Sequence, residues 1–423
     1  PLFFSFIPSL CCLKHALIIM GLGVGNYEWW EYFLIPWIAG LTGYVTNVLA
    51  LQMTFYPIEF WGIELFRLPE QPWGIIGWQG IIPAKAKKMA TICFDLMTTR
   101  LFHIKEIFHR LDPVKFSEAM EDAVLLLMDK VIHEVAQEYM PGAWNSLPQD
   151  VKDDIVLTTD SESKTFLTNF MKDMQEHVED VIDVKDMTVK ACVKNKHLVI
   201  KIFQECGEKE FQFIRQSGFY FGFIFGCIQM GVWFFYDGAW ILPTAGFLVG
   251  WITNYLALKV IFSPLHPRKF GCWTIQGIFL KRQAVVAATF ARVVCVEILH
   301  TKAMWDDIFA GKLSTNFYAM LRAHTLLFTD KLISELKPIA IAAMGAQKFA
   351  QMKEDIAQKV LDNIPDVIDQ SYVYTQQALD METTIREKMQ ELPPDEFEGV
   401  LHPAFQEDEL TLIFLGGVLG SLV

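Results

Sequence analysis

The run Gly43-Tyr-Val-Thr46-Asn47-Val-Leu-Ala50-Leu51 returns about 200 residues later as Gly250-Trp-Ile-Thr253-Asn254-Tyr-Leu-Ala257-Leu258. Both copies lie in apolar runs long enough to enter a bilayer, which takes roughly 20 mostly apolar residues. Each is followed by Phe-x-Pro (Phe55 and Pro57, then Phe262 and Pro264) and by Gln-Gly-Ile (Gln79-Gly80-Ile81, then Gln276-Gly277-Ile278). A chain that carries one membrane-entering unit twice is constrained to a duplicated, membrane-attached architecture.

Four apolar segments read as spans: 32–56, 211–236 (interrupted only by Arg215 and Gln216), 240–262, and 410–423, which is expected to continue or to be cut short. A fifth, Leu2 to Val24, carries Lys14 and His15 in its middle, where a charge is costly. An interfacial or re-entrant helix and a full span both stay open there. The chain opens on Pro1 rather than Met, so an upstream piece is expected. Between the apolar runs the chain is polar and acidic. Its 423 residues are 52% hydrophobic yet 20% charged, which fits spans alternating with soluble helical domains. The net charge of −13 argues against nucleic acid as a partner.

Charge sets the expected topology. Lys85, Lys87 and Lys88 follow the first span, and Arg215 opens the second. Arg268, Lys269, Lys281 and Arg282 follow the third, while the link at Asp237-Gly238 has no basic residue. By the positive-inside rule both long polar segments lie on one cytoplasm-like side. The second and third spans then form a hairpin, with Trp29, Trp30, Trp37, Trp233 and Trp240 at the opposite interface.

The polar segments, 84–210 and 281–409, read as helix. Ile92, Cys93, Leu96, Met97, Leu101, Ile104 and Phe108 form a helical stripe. Asp112-Pro113 starts a helix that Pro141-Gly142 ends, and further helices are expected around 160–182 and 188–210. Asp129-Lys130-Val-Ile132-His-Glu134 recurs as Asp330-Lys331-Leu-Ile333-Ser-Glu335. The Pro/Gly/Trp-rich segment 57–83 reads as irregular or as a short hairpin at the membrane surface. The expected organisation is an N-terminal apolar segment (1–30), a first repeat (31–236) and a second (239–423). The fold class is an all-α integral membrane protein of two tandem parallel repeats, each a span, surface loop, helical domain and second span.

These pieces resemble the bacterial YheB-type membrane family, a family of unknown function. The resemblance rests on Gly-x-x-Thr-Asn-x-x-Ala-Leu with its Phe-x-Pro, and on Gln79-Gly80-Ile81-Ile82-Pro83-Ala84-Lys85. It rests also on Lys209-Glu210-Phe211 with Ser217-Gly218 through Gly226. Leu392-Pro393-Pro394-x-Glu396-Phe397-Glu398, leading to His402-Pro403, completes it. It implies an integral membrane protein with a helical soluble body and transfers no activity. The second copy has Phe279-Leu280 for Ile82-Pro83 and Arg282 for Lys85, so its loop is expected to differ in shape or ligand.

Candidate sites are few. Thr46, Asn47, Thr253 and Asn254 place polar groups inside spans, where they must find partners. They read either as an interhelical hydrogen bond joining the two units or as a paired site for an ion, solute or lipid headgroup. Gly218, Gly222 and Gly226, with Gly416 and Gly420, are four apart and mark helix-packing faces. Lys85, Lys87, Lys88, Lys281 and Arg282 read as topology signals or as contacts to anionic lipid headgroups. The eight cysteines lack metal-ligand spacing and are expected as buried small hydrophobes, with acylation of Cys11-Cys12 as an alternative. Gly21, Gly23 and Gly25 lack a phosphate-binding context, and His300 and His402 read as surface or capping residues. No catalytic, metal or cofactor motif occurs, so an enzyme is not expected. The expected role is a structural or scaffolding subunit of a membrane assembly, in contact with lipids and other subunits, in a plastid or mitochondrial membrane. The alternative is a transporter or lipid-handling protein with its site at Asn47 and Asn254.

Overall fold

The computed structural model describes residues 29–67, 70–146, 148–235, 240–270, 273–334, 337–399 and 409–422. The Leu2 to Val24 segment, Cys11-Cys12, the Asp237-Gly238 link and His402 lie outside them. In chain order the elements begin with α1 (Trp29–Phe55), β1 (Trp61–Arg67), β2 (Trp73–Trp78), α2 (Ile81–Ala84) and α3 (Ala86–Leu96). Then come α4 (Ile104–Phe108), α5 (Pro113–Tyr139), α6 (Pro141–Ser146), α7 (Gln149–Glu176), α8 (Val178–Val181), α9 (Val184–Lys194) and α10 (Lys196–Cys206). The next elements are α11 (Glu208–Phe235), α12 (Ile241–Phe262), β3 (Arg268–Phe270), β4 (Trp273–Ile275), α13 (Ile278–Lys281), α14 (Gln283–Glu297) and α15 (Thr301–Ala310). The described chain closes with α16 (Ser314–Leu332), α17 (Lys337–Met344), α18 (Ala346–Val367), α19 (Tyr372–Leu379), α20 (Met381–Glu391) and α21 (Glu409–Leu422). The protein is thus mostly helical, and the described residues add two short antiparallel hairpins, β1–β2 and β3–β4.

Among the described residues two helices are long and apolar enough to cross a membrane, Phe33–Phe55 of α1 and Pro243–Phe262 of α12. The count becomes three if α14 and α15, bent by 48° at a short break, act as one span. Four were expected. The 28-residue α11 is long enough, but its first turns carry Glu208, Lys209, Glu210 and Arg215. The 14 described residues of α21 rise only about 21 Å against a core of about 30 Å. The inner face of α14–α15, including Val286, Phe290, Val294 and Trp305, is buried in protein.

The chain forms two compact units. One takes residues up to Leu96, Cys192–Phe290 and Met389 onward; the other takes Met97–Ala191 and Ala291–Lys388. The second unit is a ring of four helices in which α5 packs on α7, α7 on α16, α16 on α18 and α18 on α5. Its core is aromatic and thioether-rich. Phe166 lies against Phe328 (5.2 Å between centroids) and Phe170 meets Phe317 edge-on (5.8 Å). Met120 of α5 and Met171 and Met174 of α7 are buried as well. Ion pairs lace the rim: Lys359–Glu134 at 3.0 Å, Lys353–Asp330 at 2.7 Å and Lys164–Glu121 at 2.9 Å. Tyr139 hydrogen-bonds Asp355, which, with burial, pushes its phenol up to about 12.

Local signals explain the helix ends. Asp112 caps α5 by accepting from the Val114 amide at 2.9 Å, with Pro113 at the first helical position, where no amide is needed. α5 stops at Tyr139 and Pro141 opens a new short helix. The recurrent Asp-Lys motif has two fates: Asp129 lies inside α5, whereas Asp330 falls in the last turns of α16.

Phe170→Ala removes a ring that touches Phe166, Phe317 and His324. It should destabilise the ring of α5, α7, α16 and α18 by about 3–5 kcal/mol. The exposed Val373→Ala should change stability by less than about 0.5 kcal/mol. Hydrogen-exchange protection of these helices in the two variants checks the difference.

Candidate functional site

The first unit is also a ring of four helices: α1 packs on α11, α11 on α12, α12 on α21 and α21 on α1. Its burial pattern is inverted relative to a water-soluble bundle. Gly40, Gly43, Thr46 and Asn47 are buried, while Phe33, Trp37, Leu41 and Tyr44 on the same helix are exposed. On α11, Gly218, Gly222 and Gly226 are buried, and Tyr220, Ile224, Ile228 and Val232 are exposed at helical spacing. Small and polar groups inside with large apolar groups outside is what lipid solvation of the outer face allows.

The glycines bring backbones together. A Cβ on Gly43 would overlap the Gly218 carbonyl, and one on Gly218 would overlap that of Gly43. Farther along, Gly222 abuts the Ala39 carbonyl and Gly226 abuts Pro36. These partners run in opposite directions, so α1 and α11 are antiparallel. The pair α12 and α21 has the same construction, with Gly246 against Gly420 and Gly250 against Gly416.

The asparagines lock each pair. Asn47 Nδ2 donates to the Ile214 carbonyl on α11 at 2.7 Å, and Asn254 Nδ2 donates to the Leu412 carbonyl on α21 at 3.0 Å. Both side chains are buried. The expected hydrogen bond joining the two halves is therefore corrected: each amide bonds inside its own half. The physical reason is reach, because the glycine contacts bring the carbonyl of the paired helix to each amide. The threonines do not extend the site. Thr46 Oγ1 donates back to Thr42 (3.0 Å) and Gly43 (3.1 Å), and Thr253 Oγ1 to Gly250 (3.2 Å). Asn47 Oδ1 is buried without a hydrogen-bond partner among the described residues.

One cavity of about 40 Å³ lies where the four helices meet. Leu51, Ile214, Leu258 and Leu412 line it, with Glu210 at its wall. Asn47 and Asn254 do not line it. Glu210, buried at the start of α11, takes two hydrogen bonds from Arg282 Nη1, both 2.8 Å. This pair ties residues from the two halves, and sequence spacing gave no sign of it. Glu210 is buried and Arg282 half-buried, so loss of the arginine would leave a buried carboxylate without its cation.

The basic residues do not act as one cluster. Arg282 is engaged with Glu210, and Lys85 is buried. Lys87, Lys88 and Lys281 are exposed.

The Phe-x-Pro and Gln-Gly elements close the turn after each apolar helix in the same way. The Gly80 amide donates to the Pro57 carbonyl (2.9 Å) and Gly277 to that of Pro264 (3.1 Å). Gln79 Nε2 donates to Ile58 (2.6 Å) and Gln276 Nε2 to Leu265 (3.2 Å). Each glycine passes against the backbone that ends the apolar helix, where a Cβ would collide with Phe55 or with Ile261 and Phe262. The two surface loops differ in shape, with strands of seven and six residues in the first and of three and three in the second, while the turn that follows them is alike. Lys85 (φ −105°, ψ 17°) and Arg282 (φ −103°, ψ 15°) end equivalent short helices. Phe279 instead marks a packing difference: it stacks on the buried Phe397 at 5.0 Å. Gln283 Nε2 holds the same closing segment through the carbonyls of Met389 (3.1 Å) and Leu392 (2.8 Å).

Chemistry is sparse. Among the described residues no group of three His, Cys, Asp or Glu is arranged to hold a metal. Burial pushes the thiols of Cys93, Cys192 and Cys295 up to about 12, which disfavours thiolate reactivity. Cys227, expected inside, is exposed on α11. His300 caps α15, its Nδ1 accepting from the Ala303 amide at 3.1 Å.

The chain is 27% identical over 145 residues to the UPF0754 membrane protein of Trichodesmium erythraeum (strain IMS101). The match covers 34% of this chain and 29% of the relative's length. No family model matches the chain. No solved structure matches it either. The similarity is distant and partial; it supports a membrane protein and carries no activity with it.

Gly218→Val should push α1 and α11 apart and lower thermal stability in detergent by roughly 1–3 kcal/mol. Gly231→Val on the same helix meets open space and should leave the melting temperature unchanged. Equal effects of the two substitutions would contradict the backbone contact.

Proposed function

We propose that the chain is a structural membrane protein, a subunit or organiser of a larger membrane assembly. In this reading α1, α11, α12 and α21 all cross the bilayer, as two tandem parallel repeats of the YheB type. The helical unit of α5, α7, α16 and α18 then presents partner-binding faces on one side of the membrane.

The observation that carries the proposal is the closed helix contact. Asn47 and Asn254 each give one amide N–H to a backbone carbonyl of the paired helix. Glycine backbones touch along both pairs, and the about 40 Å³ cavity does not reach either asparagine. Such a bundle suits an anchor. A transporter with its site at these residues needs room there for a solute. The antiparallel course of each pair fits both polar segments lying on one side. The exposed apolar stripe of α11 supports counting it as a span despite its charged start. An organelle membrane, plastid or mitochondrial, belongs to the same proposal.

Extraction of the full chain from its native membrane into polymer-bounded lipid discs, followed by native mass spectrometry, tests this. A scaffold should appear with other chains in fixed stoichiometry, and the Asn47→Leu/Asn254→Leu variant should retain them. A lone chain that moves solute across vesicles, with flux lost in that variant, would replace scaffold by transport.

A further inference from the structure

The β1–β2 hairpin exposes large apolar side chains outside the helix bundle. Trp61 is 64% exposed, Ile63 54% and Trp73 43%. The hairpin follows α1 after only five residues and is fastened to it. Trp78 Nε1 donates to the Met53 carbonyl in the last turn of α1 at 3.1 Å. That carbonyl is among the last four of the helix, which lack intrahelical partners. Gly80 and Gln79 close the loop on Pro57 and Ile58, and Lys196 holds Glu59 at 2.8 Å. Tyr56, between helix and hairpin, is 43% exposed, so the apolar exterior of α1 runs on into the hairpin.

The hairpin is built to carry aromatic groups. Trp61 stands opposite Trp78 and Ile63 opposite Ile76 across the strands, and Trp73 meets Trp78 edge-on at 4.9 Å. Gly77, at φ +159°, leaves room for the Phe60 ring, which a side chain there would displace. An isolated two-stranded hairpin is marginal in water and needs a second surface. Tryptophan favours the membrane interface, where the ring is solvated by chain ends and the indole N–H by polar groups.

We infer that the β1–β2 hairpin is an interfacial anchor, with Trp61, Ile63 and Trp73 lying in the headgroup–acyl boundary of the bilayer that α1 crosses. The partner is the lipid surface itself. Continuity with the exterior of α1 is the reason for choosing lipid over protein. The anchor fixes the depth at which α1 ends and limits its sliding along the bilayer normal.

The test uses the full chain in phosphatidylcholine vesicles. Tryptophan emission of wild type minus that of Trp61→Phe/Trp73→Phe isolates the two indoles, and each single variant serves as a check. Phenylalanine keeps an apolar ring at each site, and helical circular dichroism verifies the fold. Lipids brominated near the headgroup should quench the difference emission at least twofold more than lipids brominated near the chain end. Aqueous iodide should quench it little. Quenching by iodide and not by brominated lipid would place the hairpin in water and overturn the inference. Protection from both would mean that protein, a second copy or another chain, covers the hairpin, and would overturn it equally.

Discussion

A polar backbone and a polar side chain inside hydrocarbon must find partners in protein, and the membrane-entering unit is organised by that demand. Its helices approach until glycine backbones touch, at Gly43–Gly218 and at Gly250–Gly416. Close approach puts a carbonyl of the opposite helix within reach of each asparagine amide. Contact and hydrogen bond depend on each other. A side chain on the glycine separates the helices and strands the amide. Loss of the amide forfeits about 1 kcal/mol, the usual worth of an interhelical hydrogen bond in a membrane.

The same economy recurs at the ends of the apolar helices. A glycine lets the chain double back against the helix terminus, and its amide closes the turn on a proline carbonyl. The following short helix then turns in the same geometry in both halves, despite Ile82-Pro83 in one and Phe279-Leu280 in the other. Each compact unit is a ring of four helices, two supplied by each half of the sequence. The halves are therefore interleaved, and Glu210–Arg282 is one part-buried ion pair that ties them. For the proposed role this matters: a helical body built from both halves cannot come apart without breaking its core.

Much of this was legible because it is periodic or local. The Thr-Asn runs and the four-residue glycine steps announced helix contacts, and Asp112-Pro113 announced the start of α5. What could not be read was pairing. Nothing near Asn47 in sequence says that its acceptor is Ile214 rather than a group in the other half; only the antiparallel glycine register decides that. Glu210–Arg282 and Phe279–Phe397 escaped for the same reason, since their partners are distant in sequence. The strands were half seen, because Gly, Pro and Trp signal a turn-rich segment without fixing which residues pair. Length and composition mark two spans among the described residues where four were expected, because the charged first turns and the apolar exposed stripe of α11 belong to one helix.

A density map of the full chain in a lipid nanodisc, resolving side chains in the first unit, tests the central claim most directly. The account predicts α1 and α11 in backbone contact at Gly43 and Gly218, α12 and α21 likewise at Gly250 and Gly416, and no lipid or water density between them. Helices separated at these glycines, with ordered lipid, water or solute beside Asn47 or Asn254, would contradict it.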